Sequence, residues 1–147
     1  MSQALAMFNS VGASHFSQMV CTMAPYFSTI HPELTELRPD RAEARVPFRQ
    51  EITNHLGSIH AIALCNAAEF VGGLMTDASI PSGARWIPKG MTVEYLAKAK
   101  GDVLAVADGS QVDWTTAGDK EVAVAVTDAG GQLVFTARIT MNVKLAG

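Results

Sequence analysis

Ala61-Ile62-Ala63-Leu64-Cys65-Asn66-Ala67-Ala68-Glu69-Phe70-Val71-Gly72-Gly73-Leu74 is apolar except at Asn66 and Glu69. A run this long exceeds an ordinary strand and predicts a helix apolar nearly all round, the kind that a fold buries. Immediately upstream, Asn54-His55-Leu56-Gly57-Ser58-Ile59-His60 crowds three side chains capable of site chemistry around a glycine. The helix is placed over about 58–76, with Ser58 suited to be its N-cap. An ionised carboxylate without a partner is expensive to bury. Glu69 is therefore expected to reach water at a cleft, to find a specific partner, or to have a function that offsets the cost.

The composition sets the frame around this helix. With 147 residues, 48% hydrophobic and 17% charged, the chain reads as one domain, 1–147. A net charge of −3 gives no reason to expect nucleic acid as a partner, because phosphate binding draws on clustered Lys and Arg. No apolar run reaches the roughly 20 residues of a membrane span. No cationic stretch followed by a signal-like apolar core marks the N-terminus, so a cytoplasmic protein is the expectation. Cys21 and Cys65 read as reduced thiols in helix-like contexts. His15 and His31 lie in no ligand pattern, and with no cysteine cluster a metal site is not expected. Trp86 and Trp114 read as core or interface residues.

Working outward, residues 1–28 form a helical extension, with one amphipathic helix over Leu5–Met23 stopped by Pro25. Leu34–Arg38 and Arg41–Val46 read as two strands around a Pro39-Asp40 turn, the second alternating Ala42, Ala44 and Val46 with charged residues. After the central helix and a Pro81–Pro88 loop come Met91–Ala97, Val103–Val112, Glu121–Thr127 and Gln132–Val143. Asp128-Ala129-Gly130-Gly131 is a hairpin signal between the last two. In the final strand Leu133, Phe135, Ala137, Ile139, Met141 and Val143 share one face. A hairpin, a long apolar helix and a meander of antiparallel strands make an α+β plan, in which the sheet should wrap the helix. That is the physical content of a hot-dog fold, here with an extra N-terminal helix.

Asn54-x-x-Gly57-x-x-His60, followed nine positions later by Glu69, resembles the hot-dog thioesterase superfamily, and within it the phenylacetic-acid-pathway (PaaI-like) acyl-CoA thioesterases. Their usual pattern is Asn-x-x-Gly-x-x-His-Gly-Gly with an acidic residue nine positions after the His. The resemblance continues through Tyr95-Leu96-Ala97-Lys98-Ala99-Lys100-Gly101-Asp102 and covers the chain from about residue 30 onward. The chain departs from the pattern as a divergent member. Ala61-Ile62 replaces Gly-Gly, Glu69 stands where Asp is commoner, and Lys98 where Pro is usual. Pro88 falls near the position of an accessory Ser or Thr, leaving Thr92 as the nearest hydroxyl.

The resemblance implies hydrolysis of an acyl thioester to a carboxylic acid and coenzyme A, with coenzyme A as part of the substrate and no separate cofactor. It implies Glu69 as general base or nucleophile, Asn54 orienting the lytic water or the carboxylate, and the Ala61 N–H polarising the carbonyl. His60 would hold the loop or donate to the carbonyl or the leaving thiolate. Burial against Leu64, Cys65 and Phe70 would bring Glu69 toward the working range of a base. Gly57 serves the turn before the helix, and Asn66 is either a buried polar residue at a dimer seam or a site-lining one. Gly72-Gly73 permits close packing or makes room for an acyl chain. Arg85, Lys89, Lys98 and Lys100 flank the expected mouth, as solvated charges or as contacts to the phosphates of coenzyme A.

Helix geometry adds an argument independent of the family. Nine helical steps from His60 to Glu69 turn about 900° and advance roughly 13 Å, so the two side chains point to opposite faces. They can meet across a twofold axis, which predicts a homodimer, extended in relatives to tetramers. Two other readings stay open: a non-catalytic binder of acyl-CoA or fatty acid using the same pocket, and a hot-dog hydratase or dehydratase.

Overall fold

The computed structural model describes residues 2–147. In order, the elements are α1 (Gln3–Val11), α2 (Ala13–Met23), a 3-10 turn at Pro25–Ile30, β1 (Glu33–Arg38) and β2 (Arg41–Val46). A second 3-10 turn at Gln50–Ile52 precedes α3 (Ala61–Ser79), which leads into β3 (Arg85–Tyr95), β4 (Val103–Asp108), β5 (Gly118–Asp128) and β6 (Leu133–Lys144). The six strands form one antiparallel sheet in the order β1-β2-β4-β5-β6-β3. α3 packs against all six. This is the α+β hot-dog architecture expected from the sequence. None of the described helices is long and apolar enough to cross a membrane.

Small residues let the sheet close on α3. A Cβ at Gly72 would come within 2.8 Å of Ile139 Cδ1, so the helix backbone lies directly on β6. Phe70 is 1% exposed and meets Phe27 edge-on at 5.2 Å, tying the Pro25–Ile30 turn to the helix. Phe70→Ala should remove about 3–5 kcal/mol of stability, the range for emptying a well-packed aromatic site. Urea denaturation measures this directly, and a loss under 1 kcal/mol would contradict the packing described.

Several boundaries differ from the sequence reading, each for a local reason. The single helix over Leu5–Met23 is two, because Gly12 adopts φ +86° and its N–H closes α1 on the Phe8 carbonyl at 3.0 Å. The break lets Phe8 and Phe16 meet edge-on at 5.6 Å. The strand expected at Met91–Ala97 begins earlier, at Arg85, and passes through Pro88. Proline is tolerated there because β3 is an edge strand with a register shift between Pro88 and Gly90. β4 stops at Asp108 rather than Val112, and Leu133 is exposed at the start of β6 while Phe135, Ala137, Ile139, Met141 and Val143 are buried. The hairpin at 128–131 forms as expected, with Asp128 Oδ1 accepting from the N–H groups of Gly130 and Gln132.

The central helix starts and ends three residues later than 58–76. Its N-terminus is delayed because Thr53 and Ile59 form an antiparallel bridge, and Ile59 N–H donates to the Ala99 carbonyl at 2.8 Å. Its C-terminus is held by Ser79, whose Oγ accepts from the Asp40 N–H at 2.9 Å. Asp40 sits at φ +69° in the β1–β2 turn and also accepts from the Trp114 indole N–H at 2.7 Å.

Candidate active site at the start of the central helix

The loop before α3 is built around Asn54. Its Oδ1 accepts from the Leu56 N–H at 2.9 Å and the Ser58 N–H at 3.2 Å, and its own N–H donates to the Ser58 carbonyl at 2.8 Å. Gly57 completes the turn at φ +76° with open space where a Cβ would stand, so conformation rather than crowding requires glycine. The Asn54 carbonyl side of the amide is thus committed to the loop, while its NH2 has no partner among the described residues.

His60, not Ser58, caps the helix. Its Nδ1 accepts from the Ile62 N–H at 3.1 Å, its carbonyl accepts from Ala63 and Leu64, and its N–H donates to the Ile52 carbonyl at 2.8 Å. Ser58 is buried with its Oγ unpartnered. His60→Ala should cost about 1 kcal/mol through loss of the cap, and His60→Asn should recover most of it. Thermal melts of the two variants make the comparison, and equal losses would refute the capping role.

With His60 occupying Ile62, Ala63 and Leu64, the Ala61 N–H is the one donor of the first turn without an acceptor among the described residues. It lies at the positive end of the helix dipole. Glu69 follows on the same helix about 12 Å farther along the axis, eight residues at the α-helical rise. Glu69 is exposed, so of the three outcomes open to it the chain takes the first and lets it reach water. The burial against Leu64, Cys65 and Phe70 that the resemblance implied is not supplied by its own chain. Ala61, Ile62, Cys65 and Glu69 recur at helical spacing as a stripe that the sheet leaves uncovered, with Ile62 52% exposed.

The remaining residues divide by position. Tyr95, at the end of β3, places its hydroxyl 3.9 Å from Cys65 Sγ, and this contact raises the phenol above its usual range. The segment after it, containing Lys98 and Lys100, is bridged through Ala99 to the loop before α3, so these two lysines stand beside the Ala61 end. Arg85, Lys98 and Lys100 are exposed and have no ion-pair partner among the described residues. Lys89 is engaged with Asp119 at 3.0 Å, and Asp119 is held below the usual carboxylate range by Asn142 and Lys89. Thr92 does not join the group in this chain. It pairs with Arg138, one residue out of phase with Ile139, which points at α3, so its side chain lies on the outer face of the sheet. Asn66 turns away from the stripe, its amide donating to Thr29 Oγ1 at 3.1 Å and the Tyr26 carbonyl at 3.4 Å. Tyr95 was not anticipated as a neighbour of Cys65, since strand register and helix phase decide it together.

Residues 12–143 match the family described as a domain of unknown function, DUF4442. No curated relative matches. A crystal structure described as genomics APC5556 is 56% identical, with a TM-score of 0.90 over 98% of this chain and 97% of that one. A thioesterase from Haemophilus influenzae superposes with a TM-score of 0.72 at 18% identity, over 81% of this chain and 82% of its own. A thioesterase family protein from Silicibacter pomeroyi does so with 0.75 at 16% identity, over 88% and 96%. At these identities the two thioesterase likenesses establish the hot-dog fold.

Proposed function

The chain belongs to the DUF4442 family, and we propose that it hydrolyses an acyl-coenzyme A thioester to a carboxylic acid and coenzyme A, in sites shared between two copies of the chain. The observation that carries the reading is the split between Ala61 and Glu69. One helix holds an unengaged N–H at its positive end and an exposed carboxylate two turns away, on one uncovered stripe. Antiparallel packing of two such helices would place the Ala61 N–H of one beside Glu69 of the other, twice over. The open edge of β3 supports pairing: it carries Ile87, Met91 and Tyr95 at 62%, 40% and 56% exposed, an aggregation liability unless another chain covers it.

In this reading Glu69 takes a proton from water, whose oxygen attacks the thioester carbonyl. The developing oxyanion faces the Ala61 N–H of the facing helix, where a fixed donor and the helix dipole stabilise charge. Collapse of the tetrahedral intermediate breaks the C–S bond, and the leaving thiolate takes up the proton held by Glu69, which gives coenzyme A and regenerates the carboxylate. The free Asn54 NH2 donates to the lytic water or the carboxylate. Replacing Gly-Gly by Ala61-Ile62 keeps the backbone donor and adds side chains around it. Lys98 and Lys100, beside the Ala61 end, are available for the phosphates of coenzyme A. Arg85, at the far end of β3 next to the loop after Ile80, does not flank that mouth as the sequence suggested. Lys89 could serve only at the expense of its pairing with Asp119. The PaaI-like pattern supports the same assignment.

Release of free thiol from a panel of acyl-CoAs tests the proposal. Saturable turnover is the expected result. Tight binding of acyl-CoA without thiol release would refute hydrolysis and leave the binding protein as the reading.

A further inference from the structure

The N-terminal helices stand over the C-terminal half of α3, and a cavity of about 930 Å3 lies between them. Its α3 wall contains Glu69, then Gly73, then Asp77, and it ends at the loop following Ile80. The facing wall is mostly apolar, with Ala4 of α1 and Met19 and Val20 of α2, and carries Ser2 and Gln3 at the start of α1. We propose that this cavity is the acyl site, that it takes the linear hydrocarbon chain of a medium-chain fatty acyl thioester, and that α1 and α2 are present to form its wall. The carbonyl end of this assignment rests on the proposed role of Glu69; the hydrocarbon end rests on the cavity itself.

Length follows from the helix. From Glu69 to Ile80 is eleven residues, about 16 Å of rise. An extended hydrocarbon advances about 1.25 Å per 1.5 Å carbon–carbon bond, so about thirteen bonds cover the same distance and a chain of about a dozen carbons fits within it. The volume lies at the large end of the range for small-molecule sites and leaves room for a flexible chain. The two walls differ in stiffness. Trp86 lies against Gly73, where a Cβ would sit 2.9 Å from the ring, and its indole N–H donates to Asp77 at 3.2 Å. That side is fixed by a hydrogen bond and by the missing side chain. The opposite side carries an unbranched thioether, Met19, which adapts to an apolar ligand.

Trp86 is a built-in reporter, because the other tryptophan, Trp114, is outside the cavity lining and bonded to Asp40. Dodecanoic acid brominated near mid-chain should quench the emission saturably, and Trp86→Phe should remove the quenched component. In the kinetic arm, kcat/KM for dodecanoyl-CoA relative to butyryl-CoA should fall at least tenfold in Met19→Trp and in Ala4→Phe, which fill the cavity from two different helices. Each buried methylene is worth about fourfold in binding, so losing two suffices. Quenching at Trp86 without turnover of any thioester would support the cavity and refute hydrolysis. Turnover indifferent to chain length, with no quenching at Trp86, would overturn the cavity assignment and leave hydrolysis intact.

Discussion

Glu69→Ala and Glu69→Gln are expected to lower kcat/KM for thioester hydrolysis by about 10²–10⁴-fold, the contribution of a positioned general base. Gln preserves the size of the side chain and removes only its capacity to take a proton, so the two variants should fall together. Because Glu69 is exposed and makes no hydrogen bond or ion pair among the described residues, neither change should move the thermal midpoint by more than a surface substitution does. A large loss of rate with unchanged stability is therefore the signature. Steady-state thiol release and a melt on the same preparation decide it. Full activity in both variants would leave the enzyme standing and remove Glu69 as its base.

A mixture of two inactive proteins should regain activity. Asn54→Asp keeps an acceptor for the Leu56 and Ser58 N–H groups, so the loop can hold, but it removes the amide donor. Alone it should be at least tenfold impaired, as Glu69→Ala should be. In a mixed dimer one site receives the intact Asn54 loop from one chain and the intact Glu69 from the other, while the second site receives both defects. Random re-pairing makes half the dimers mixed with one good site each, so about one quarter of wild-type activity should return. Activity measured after denaturing and refolding the two together, against each refolded alone, provides the test. No recovery in a mixture shown to contain mixed dimers would mean that each site is built within one chain.

The two experiments separate chemistry from assembly, and the structure shows why both are needed. Along one chain the Ala61 N–H and Glu69 cannot approach, because a continuous helix is a rigid spacer of about 1.5 Å per residue. By sequence spacing, His60 and Glu69 stood nine helical steps apart on opposite faces. α3 runs unbroken from Ala61 to Ser79, but His60 is its cap at ψ 139°, outside the helical steps. The opposite-face phase therefore does not carry over, and only the separation along the axis does. In the sequence Glu69 is a carboxylate among apolar neighbours, which leaves open whether it reaches water, finds a partner or is buried for a function. In the fold the sheet and the N-terminal helices cover the other faces of α3 and leave its stripe open, so the charge stays in water.

The loop before α3 shows the same division. The Asn54–Gly57–His60 spacing predicted a turn followed by a helix, and both formed. Which residue capped the helix depended on the Thr53–Ile59 bridge and on Ala99, more than thirty residues away in sequence. Thr92 is the hydroxyl nearest to Pro88 along the chain, but one step along a strand reverses the face, and the register with β6 sends it outward. Lys89 looked like a free cation until β5 brought Asp119 beside it.

The sequence by itself determined the order and type of the elements, the wrapping of an apolar helix by an antiparallel sheet, and the separation of the two halves of the candidate site. These depend on periodicity and rise, which are properties of one segment at a time. Only the tertiary structure decided which face of α3 stays open, which residue caps it, and that α1 and α2 enclose a cavity along its second half. These depend on contacts between segments far apart in the chain, and a periodic pattern carries no record of what will pack against it.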